Sequence, residues 1–300
     1  MKKNSTSEKW VVRAVGNKKG TRFFIWVINT FGILPAYGFL FFASLQYLLF
    51  DKKAVNALCD YRKRLGFNAP LFSIFKHFYS FGVTLIDRVA FLTNRGKSFN
   101  TIHINEELIN RELDYGNGVI LLGAHFGNWE FAGNLLTKRI AARVHVFMYD
   151  AGNEASTERV SVLQNLVIHH VQDSTSDTAV EIVNALRAGD IVCMHGDRFF
   201  GNQRTETIDF LGEPARFPVG PMALAAITGA SVITCFTVRT SFFHYTFSAE
   251  EPDRITNNQD RVMRDRQIRS ALEKYVKVLE RKCREYPYQW YNFYRFWDVE

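Results

Sequence analysis

His125 and Glu130 stand five positions apart in His125-Phe126-Gly127-Asn128-Trp129-Glu130, directly after the apolar run Gly118-Val119-Ile120-Leu121-Leu122-Gly123-Ala124. A continuous apolar run of this length reads as a buried parallel strand, and open α/β sheets bind ligands at the carboxyl ends of their strands. If Asn128 caps a helix beginning at Trp129, Glu130 falls in its first turn, where the helix dipole favours an ionised carboxylate. The preceding loop can fold the His125 imidazole back on that carboxylate, which holds one ring N–H and leaves the other nitrogen as a base. A His/Glu dyad without a serine suits activation of a hydroxyl brought by a substrate. On residue types alone, a structural histidine beside an ordinary capping glutamate fits the same spacing.

A second stretch, Ile191-Val192-Cys193-Met194-His195-Gly196-Asp197-Arg198, follows the same logic: an apolar strand delivers polar residues at its end. Asp197 and Arg198 lie beside the mouth of the His125 strand if the two strands are near neighbours in the sheet. As a loop charge pair elsewhere they are worth little. His195 is the weaker histidine, because it can point into the sheet. Phe210-Leu211-Gly212-Glu213-Pro214-Ala215-Arg216-Phe217-Pro218-Val219-Gly220-Pro221 reads as a Gly/Pro loop running into a helix N-terminus, whose backbone N–H groups can face an anion.

The elements that must position these residues alternate. Val119 to Ala124, Val144 to Tyr149, Val167 to Val171, Ile191 to His195 and Ser231 to Val238 read as strands. Asn128 to Arg139, Glu154 to Gln164, Asp177 to Arg187 and Pro221 to Thr228 read as the helices between them, with Gly189 as a C-terminal stop. The expected fold is α/β, a mainly parallel sheet flanked by helices. Phe242 to Phe247 reads as a further strand at an edge. Gln259 to Glu285 reads as a basic amphipathic helix, apolar through Val262, Leu272, Val276, Leu279 and Cys283. Its many basic residues are a solvated face by default, and could also hold a carrier protein or lipid headgroups.

Before the sheet, Ala54 to Arg95 reads as two helices separated by Gly66-Phe67-Asn68-Ala69-Pro70, the second with an aromatic stripe of Phe72, Phe75, Phe78, Tyr79 and Phe81. Such a stripe packs a core or lines an acyl-chain groove. Earlier still, Phe23 to Phe50 holds 28 residues with no charged side chain, whereas a membrane crossing needs about 20. Either the segment spans, or Gly32 and Pro35 break it into two short helices that dip into one leaflet; a buried soluble hairpin is the third reading. Basic residues at both ends draw both toward the cytoplasm, which places the rest of the chain at the cytoplasmic face. The expected organisation is a basic N-terminus and hydrophobic membrane-associated helical segment over 1–53. A single α/β domain over 54–300 follows, with a helical lead-in (54–96), a sheet core (97–250), and a C-terminal helix and aromatic tail (251–300).

Composition narrows the classes. The chain has 300 residues, 47% hydrophobic and 15% aromatic with 27 Phe, so it can bury a large core and is not disordered over most of its length. A net charge of +7 attracts an anionic partner, a membrane surface or an acidic carrier protein. Without zinc-finger spacing or a basic zipper, nucleic acid ranks last. Four scattered cysteines with no Cys-x-x-Cys pair fit a reducing compartment. No metal or organic cofactor is implied.

His125-Phe126-Gly127-Asn128-Trp129-Glu130 resembles the His-x4-Asp/Glu motif of the bacterial lipid A biosynthesis acyltransferase family, within the lysophospholipid acyltransferase-like superfamily. Asp197 at a strand end, Phe210 to Pro221, the Leu224-Ala225-Ala226-Ile227-Thr228-Gly229 helix, Trp10 to Gly20 and Tyr286-Pro287-Tyr288-Gln289-Trp290-Tyr291 are similar to that family in the same order. The resemblance implies an O-acyltransferase at the bacterial inner membrane, taking a fatty acyl chain from acyl carrier protein, or acyl-CoA, to a lipid hydroxyl. His125 is then the base and Glu130 its orienting partner. Arg198, or backbone N–H groups near Gly127 and Asn128, are the oxyanion donors, and Arg216 is the candidate for an anionic headgroup or a phosphopantetheine phosphate. Met148-Tyr149-Asp150 and Gly196-Asp197-Arg198 look more like relatives associated with aryl-polyene or flexirubin-type lipids and amino-acid lipids, which leaves the acceptor open. Glycerophospholipid acylation and noncatalytic lipid binding are the alternatives.

Overall fold

The computed structural model describes residues 18–92, 99–129, 139–149, 165–171, 176–199, 203–256 and 260–297. The expected helices over Asn128 to Arg139 and Glu154 to Gln164 lie essentially outside the described residues. Four helices come first: α1 (Lys18–Phe31), α2 (Ile33–Phe50), α3 (Lys52–Arg64) and α4 (Leu71–Leu92). The long uncharged segment is thus broken at Gly32, where φ is 91°, a conformation that favours glycine. Asp51 then caps α3 by accepting from the Ala54 N–H at 3.0 Å.

The sheet and its helices follow as β1 (Asn100–Ile104), α5 (Glu107–Leu113), β2 (Val119–Gly123), β3 (Val144–Tyr149), β4 (Leu166–Val171), α6 (Ser176–Arg187) and β5 (Ile191–His195). Next come β6 (Thr205–Phe210), β7 (Glu213–Pro218), α7 (Gly220–Thr228), β8 (Ser231–Ser241), β9 (His244–Ala249), β10 (Asp253–Arg254) and α8 (Arg261–Glu285). Among the described residues the sheet has eight strands in the order β1-β9-β8-β2-β5-β3-β4, with β10 also on β8. From β8 to β4 every neighbouring pair is parallel, as is β1 with β9; β9 and β10 run antiparallel to β8.

Strand periodicity sorts the sheet's two faces. Ile120, Leu122 and Val192 pack with α6, α7 and α8 in one core cluster, and Val119, Leu121 and Ile191 pack with Leu108 and Ile109 of α5 in another. This is the α/β architecture expected, with corrections at its margins. The strand after β8 is not an edge: β9 lies between β8 and β1, and β1 forms the edge. The region expected as a Gly/Pro loop is a separate β6–β7 hairpin. Its turn, Leu211-Gly212, has φ values of 53° and 85°, as a tight two-residue hairpin turn requires. Pro214 and Pro218 are tolerated because this ribbon has only two strands. On α8, Val262 is exposed rather than apolar-packed, and Ile268, Ala271 and Tyr275 complete the buried face. Its basic residues are largely paired, Arg269 with Glu206 and Glu273, Lys274 with Asp253, Arg284 with Glu280.

The helical lead-in joins the sheet through Tyr61 of α3, in the core cluster with Ile120 and Leu122, and through Asp87 of α4, which accepts from Tyr245 of β9. Leu40 of α2 fills the space left by the missing side chain of Gly82. Phe78 stacks on Tyr47 of α2 and on Phe293 of the tail at ring separations of 5.9 and 5.5 Å. The other side of α1 and α2 stays uncovered, with Trp26, Phe31, Leu34, Phe42, Leu49 and Phe50 all exposed. Among the described residues α2 is the one helix long and apolar enough to cross a membrane by length and composition.

Candidate active site

Strand register brings the two polar stretches together. β2 pairs with β5 in parallel, Gly123 opposite His195, and the Gly196 N–H donates to the Gly123 carbonyl at 3.0 Å. The chain therefore leaves both strands side by side at the carboxyl edge of the sheet. His125 Nδ1 donates to Asp197 Oδ1 at 2.9 Å, and the His125 backbone N–H donates to Asp197 Oδ2 at 3.0 Å. The indole N–H of Trp290 also donates to Oδ2, at 3.0 Å.

Asp197 is 1% exposed. Burial alone would raise its pKa, but the hydrogen bond and charge of His125, with Arg198 beyond, outweigh it and hold the carboxyl well below the usual carboxylate range. An ionised carboxylate only accepts, so the proton of a neutral His125 sits on Nδ1 and the Nε2 lone pair is the base. The His125 side chain is 28% exposed. Burial, then Arg198, push its pKa below 6.5 against the pull of Asp197. Near neutrality the imidazole is therefore mostly uncharged.

The loop carrying His125 is held from both sides. Gly127 has φ 59°, and an added Cβ would sit 2.0 Å from the Thr237 carbonyl oxygen, so only glycine fits. The Gly127 N–H donates to Gln289 O at 2.8 Å and the Asn128 N–H to Thr237 O at 2.8 Å. Both amides expected as oxyanion donors are thus already engaged. Arg198 is engaged in part: its Nη2 donates to Tyr291 O at 2.8 Å, while its buried Nε has no hydrogen-bond partner among the described residues. Arg216 sits on the β6–β7 hairpin, where its guanidinium donates to Thr205 Oγ1 at 3.0 and 3.1 Å and lies over the Phe199 ring. Glu130 lies outside the described residues.

His195 is brought to the site as well. Its ring lies edge-on to His125 at 4.4 Å and to Trp129 at 4.7 Å, and burial, with His125 beside it, pushes its pKa down to about 3. Ring nitrogens of His125 and His195 and an oxygen of Asp197 lie within 4.8 Å of one another. Both oxygens of Asp197 and Nδ1 of His125 are already in hydrogen bonds. Sequence reasoning placed Asp197 near the site but missed it as the partner of Nδ1, and missed Trp290 behind it. The signal for the first is that two apolar runs each end in a titratable residue; Trp290 lies in a stretch that resembles the family, but nothing local to it points at Asp197.

Fold and site together define an α/β protein that presents, at the carboxyl edge of its parallel sheet, a histidine hydrogen-bonded to a buried carboxylate, with no serine or cysteine hydrogen-bonded to that histidine among the described residues. Residues 74–298 match the family described as bacterial lipid A biosynthesis acyltransferase, and the chain belongs to that family. Over 120 residues it is 30% identical to a phosphatidylinositol mannoside acyltransferase of Mycobacterium tuberculosis (strain ATCC 25618 / H37Rv), covering 39% of this chain and 38% of that one. The same-named protein of strain CDC 1551 / Oshkosh matches over an equal length at the same identity. The chain thus spans under two fifths of the length of these curated relatives. A 1-acyl-sn-glycerophosphate (LPA) acyltransferase, PlsC, from Thermotoga maritima superposes with a TM-score of 0.38 at 12% identity, over 86% of this chain and 94% of that chain. That likeness is too loose to carry an argument.

Proposed function

We propose that the protein is an O-acyltransferase that moves a fatty acyl chain from an acyl thioester, carried by acyl carrier protein or coenzyme A, to a hydroxyl of a membrane lipid. The observation that carries this reading is a neutral His125 fixed through Nδ1 by Asp197, with no nucleophilic side chain hydrogen-bonded to it among the described residues. Such a base acts on a hydroxyl that the substrate brings.

In the proposed step, His125 Nε2 takes the proton of the acceptor hydroxyl as its oxygen attacks the thioester carbonyl carbon. Asp197 stabilises the imidazolium that forms. The positive charge of Arg198, beside the pair, offsets the negative charge that develops on the former carbonyl oxygen. Collapse of the tetrahedral intermediate breaks the C–S bond, and the imidazolium returns its proton to the departing sulfur, leaving an ester and a free thiol. Glu130 is the second carboxylate of the motif, stabilising the charged imidazole, and Arg216 is the candidate for an anionic headgroup or the phosphate of phosphopantetheine. The similarity to mycobacterial phosphatidylinositol mannoside acyltransferases supports an acceptor with a hydroxylated glycolipid headgroup; lipid A-type, amino-acid and aryl-polyene or flexirubin-type lipids are the other candidates. The uncovered aromatic face of α1 and α2, with basic residues at both ends of that pair, supports attachment to the cytoplasmic face of the inner membrane.

The test is acyl transfer by the purified protein from palmitoyl-acyl carrier protein and palmitoyl-CoA to a bacterial total-lipid extract, read by mass. The wild type should raise one lipid class by a single acyl increment, and His125→Ala should lower that rate by about 10³-fold. Glu130→Gln, which keeps size and removes charge, should lower it by at least about tenfold. Lipid retained without transfer, and indifferent to His125, would make it a lipid-binding protein instead.

A further inference from the structure

The C-terminal tail does more than cover the core. Its segment Gln289 to Tyr291 runs beside the His125 loop in antiparallel fashion, Phe126 opposite Trp290. The Tyr291 N–H donates to the His125 carbonyl at 2.7 Å, and the Gln289 carbonyl accepts from the Gly127 N–H at 2.8 Å. The Tyr291 carbonyl accepts from Arg198 Nη2 at 2.8 Å. Between these contacts Trp290, fully buried, aims its N–H at the oxygen of Asp197 that does not hold the imidazole. The Trp290 carbonyl in turn accepts from Nε2 of His77, a fully buried histidine of α4, at 2.8 Å. Edge-on rings of Tyr61, Phe210 and Phe296 at 5.0 to 5.4 Å fix the plane of the indole. Phe126, Trp290 and Asp197 are thus held as one unit between α4 and the sheet.

We infer that Trp290 is a positioning residue for the His125–Asp197 pair: its indole N–H fixes the carboxylate plane and draws off part of its charge, which sets how strongly Asp197 binds the protonated form of His125. The inference deepens the acyltransferase reading, but its first readout does not depend on that reading. A carboxylate oxygen that gives up one hydrogen bond carries more charge toward its remaining partners. Loss of the indole N–H therefore stabilises the imidazolium and moves the His125 titration upward, while the carboxylate gains freedom to turn. The other titratable or charged groups around the pair are Arg198, His195, Tyr275 of α8 and Tyr294 of the tail, and removal of the indole N–H alone changes none of them chemically.

The experiment follows the His125 ring by NMR in full-length protein labelled at histidine, its signal assigned by loss in His125→Gln. Trp290→Phe should raise the titration midpoint by about half a unit to one unit, and lower kcat for acyl transfer about tenfold with KM little changed. Replacement of the indole at 290 by its sulfur isostere, benzothiophene, removes the N–H and keeps the shape, and should give the same shift if Trp290→Phe fails to fold. Trp297→Phe removes a comparable bond, from Trp297 Nε1 to the Phe210 carbonyl at 3.0 Å, and should leave the midpoint in place. An unmoved His125 midpoint in the folded isostere would overturn the inference whatever the activity. A raised midpoint in a protein whose wild type transfers no acyl group would uphold Trp290 and overturn the acyltransferase reading.

Discussion

A histidine whose proton is fixed on Nδ1 is a base through Nε2 alone, and the charges around it decide the pH at which it works. His125 has its pKa lowered below 6.5 by burial and then by Arg198, with Asp197 pulling the other way. In the proposed step the neutral form acts, so kcat/KM should rise with pH through a midpoint below 6.5. Arg198→Gln removes a neighbouring positive charge and should move that midpoint up. Asp197→Asn removes the stabilising anion, and should move it down and lower kcat by about 10² to 10⁴-fold. A pH–rate series on the three proteins checks both signs. His125 was legible in the sequence because a buried strand ending in histidine has a local signature. Its partner was assigned there to Glu130, five positions on; Asp197, which holds Nδ1, lies 72 positions away. The pairing follows from β2 and β5 being neighbours in the sheet, and strand order is not a local property of either run.

At the scale of elements, α4 and the tail form a strut behind the site. Thr84 Oγ1 and the Tyr291 hydroxyl are 2.8 Å apart, and His77 donates to Trp290 O. His77 sits among Tyr61, Tyr288, Tyr291 and Phe293, and burial lowers its pKa from 6.5 to about 4. Between those values the unfolded chain binds the proton that the folded chain refuses. The contribution is fully present above 6.5 and is lost as pH falls toward 4, amounting to about 3 kcal/mol. Thermal midpoints measured from pH 7 to pH 4.5 should fall, and His77→Phe should flatten that slope while lowering stability at pH 7. Helices with strong periodicity, α6, α7 and α8, were readable to within a residue or two. The β6–β7 hairpin was not, because its Gly212, Pro214 and Pro218 carry the signals of a loop and only pairing in three dimensions turns them into a ribbon. β1 was missed for a related reason: its five residues alternate exposed and half-buried at an edge and never form an apolar run.

Over the whole molecule, one side is built to be wet and another is not. Most basic residues of α8 are matched by acidic partners, whereas α1 and α2 turn Trp26, Phe42 and Phe50 outward at 55%, 67% and 79% exposure. Tyr37 of α2 reaches the buried Asp87 of α4, which also accepts from Tyr245 of β9, so the greasy pair is fastened to the sheet that carries His125. Phe42→Asp with Phe50→Asp should therefore shift the protein from the membrane fraction toward the soluble one on flotation with anionic vesicles, and leave the His125 titration unchanged. The central claim is that this assembly transfers acyl groups through His125. The most direct test compares total lipids, by high-resolution mass, from cells with and without the gene, complemented by wild type or His125→Ala. Loss of a single acyl increment from one lipid class, restored by the wild type alone, is the predicted result, and it names the acceptor. Restoration by His125→Ala, or no change in any lipid, would contradict the account.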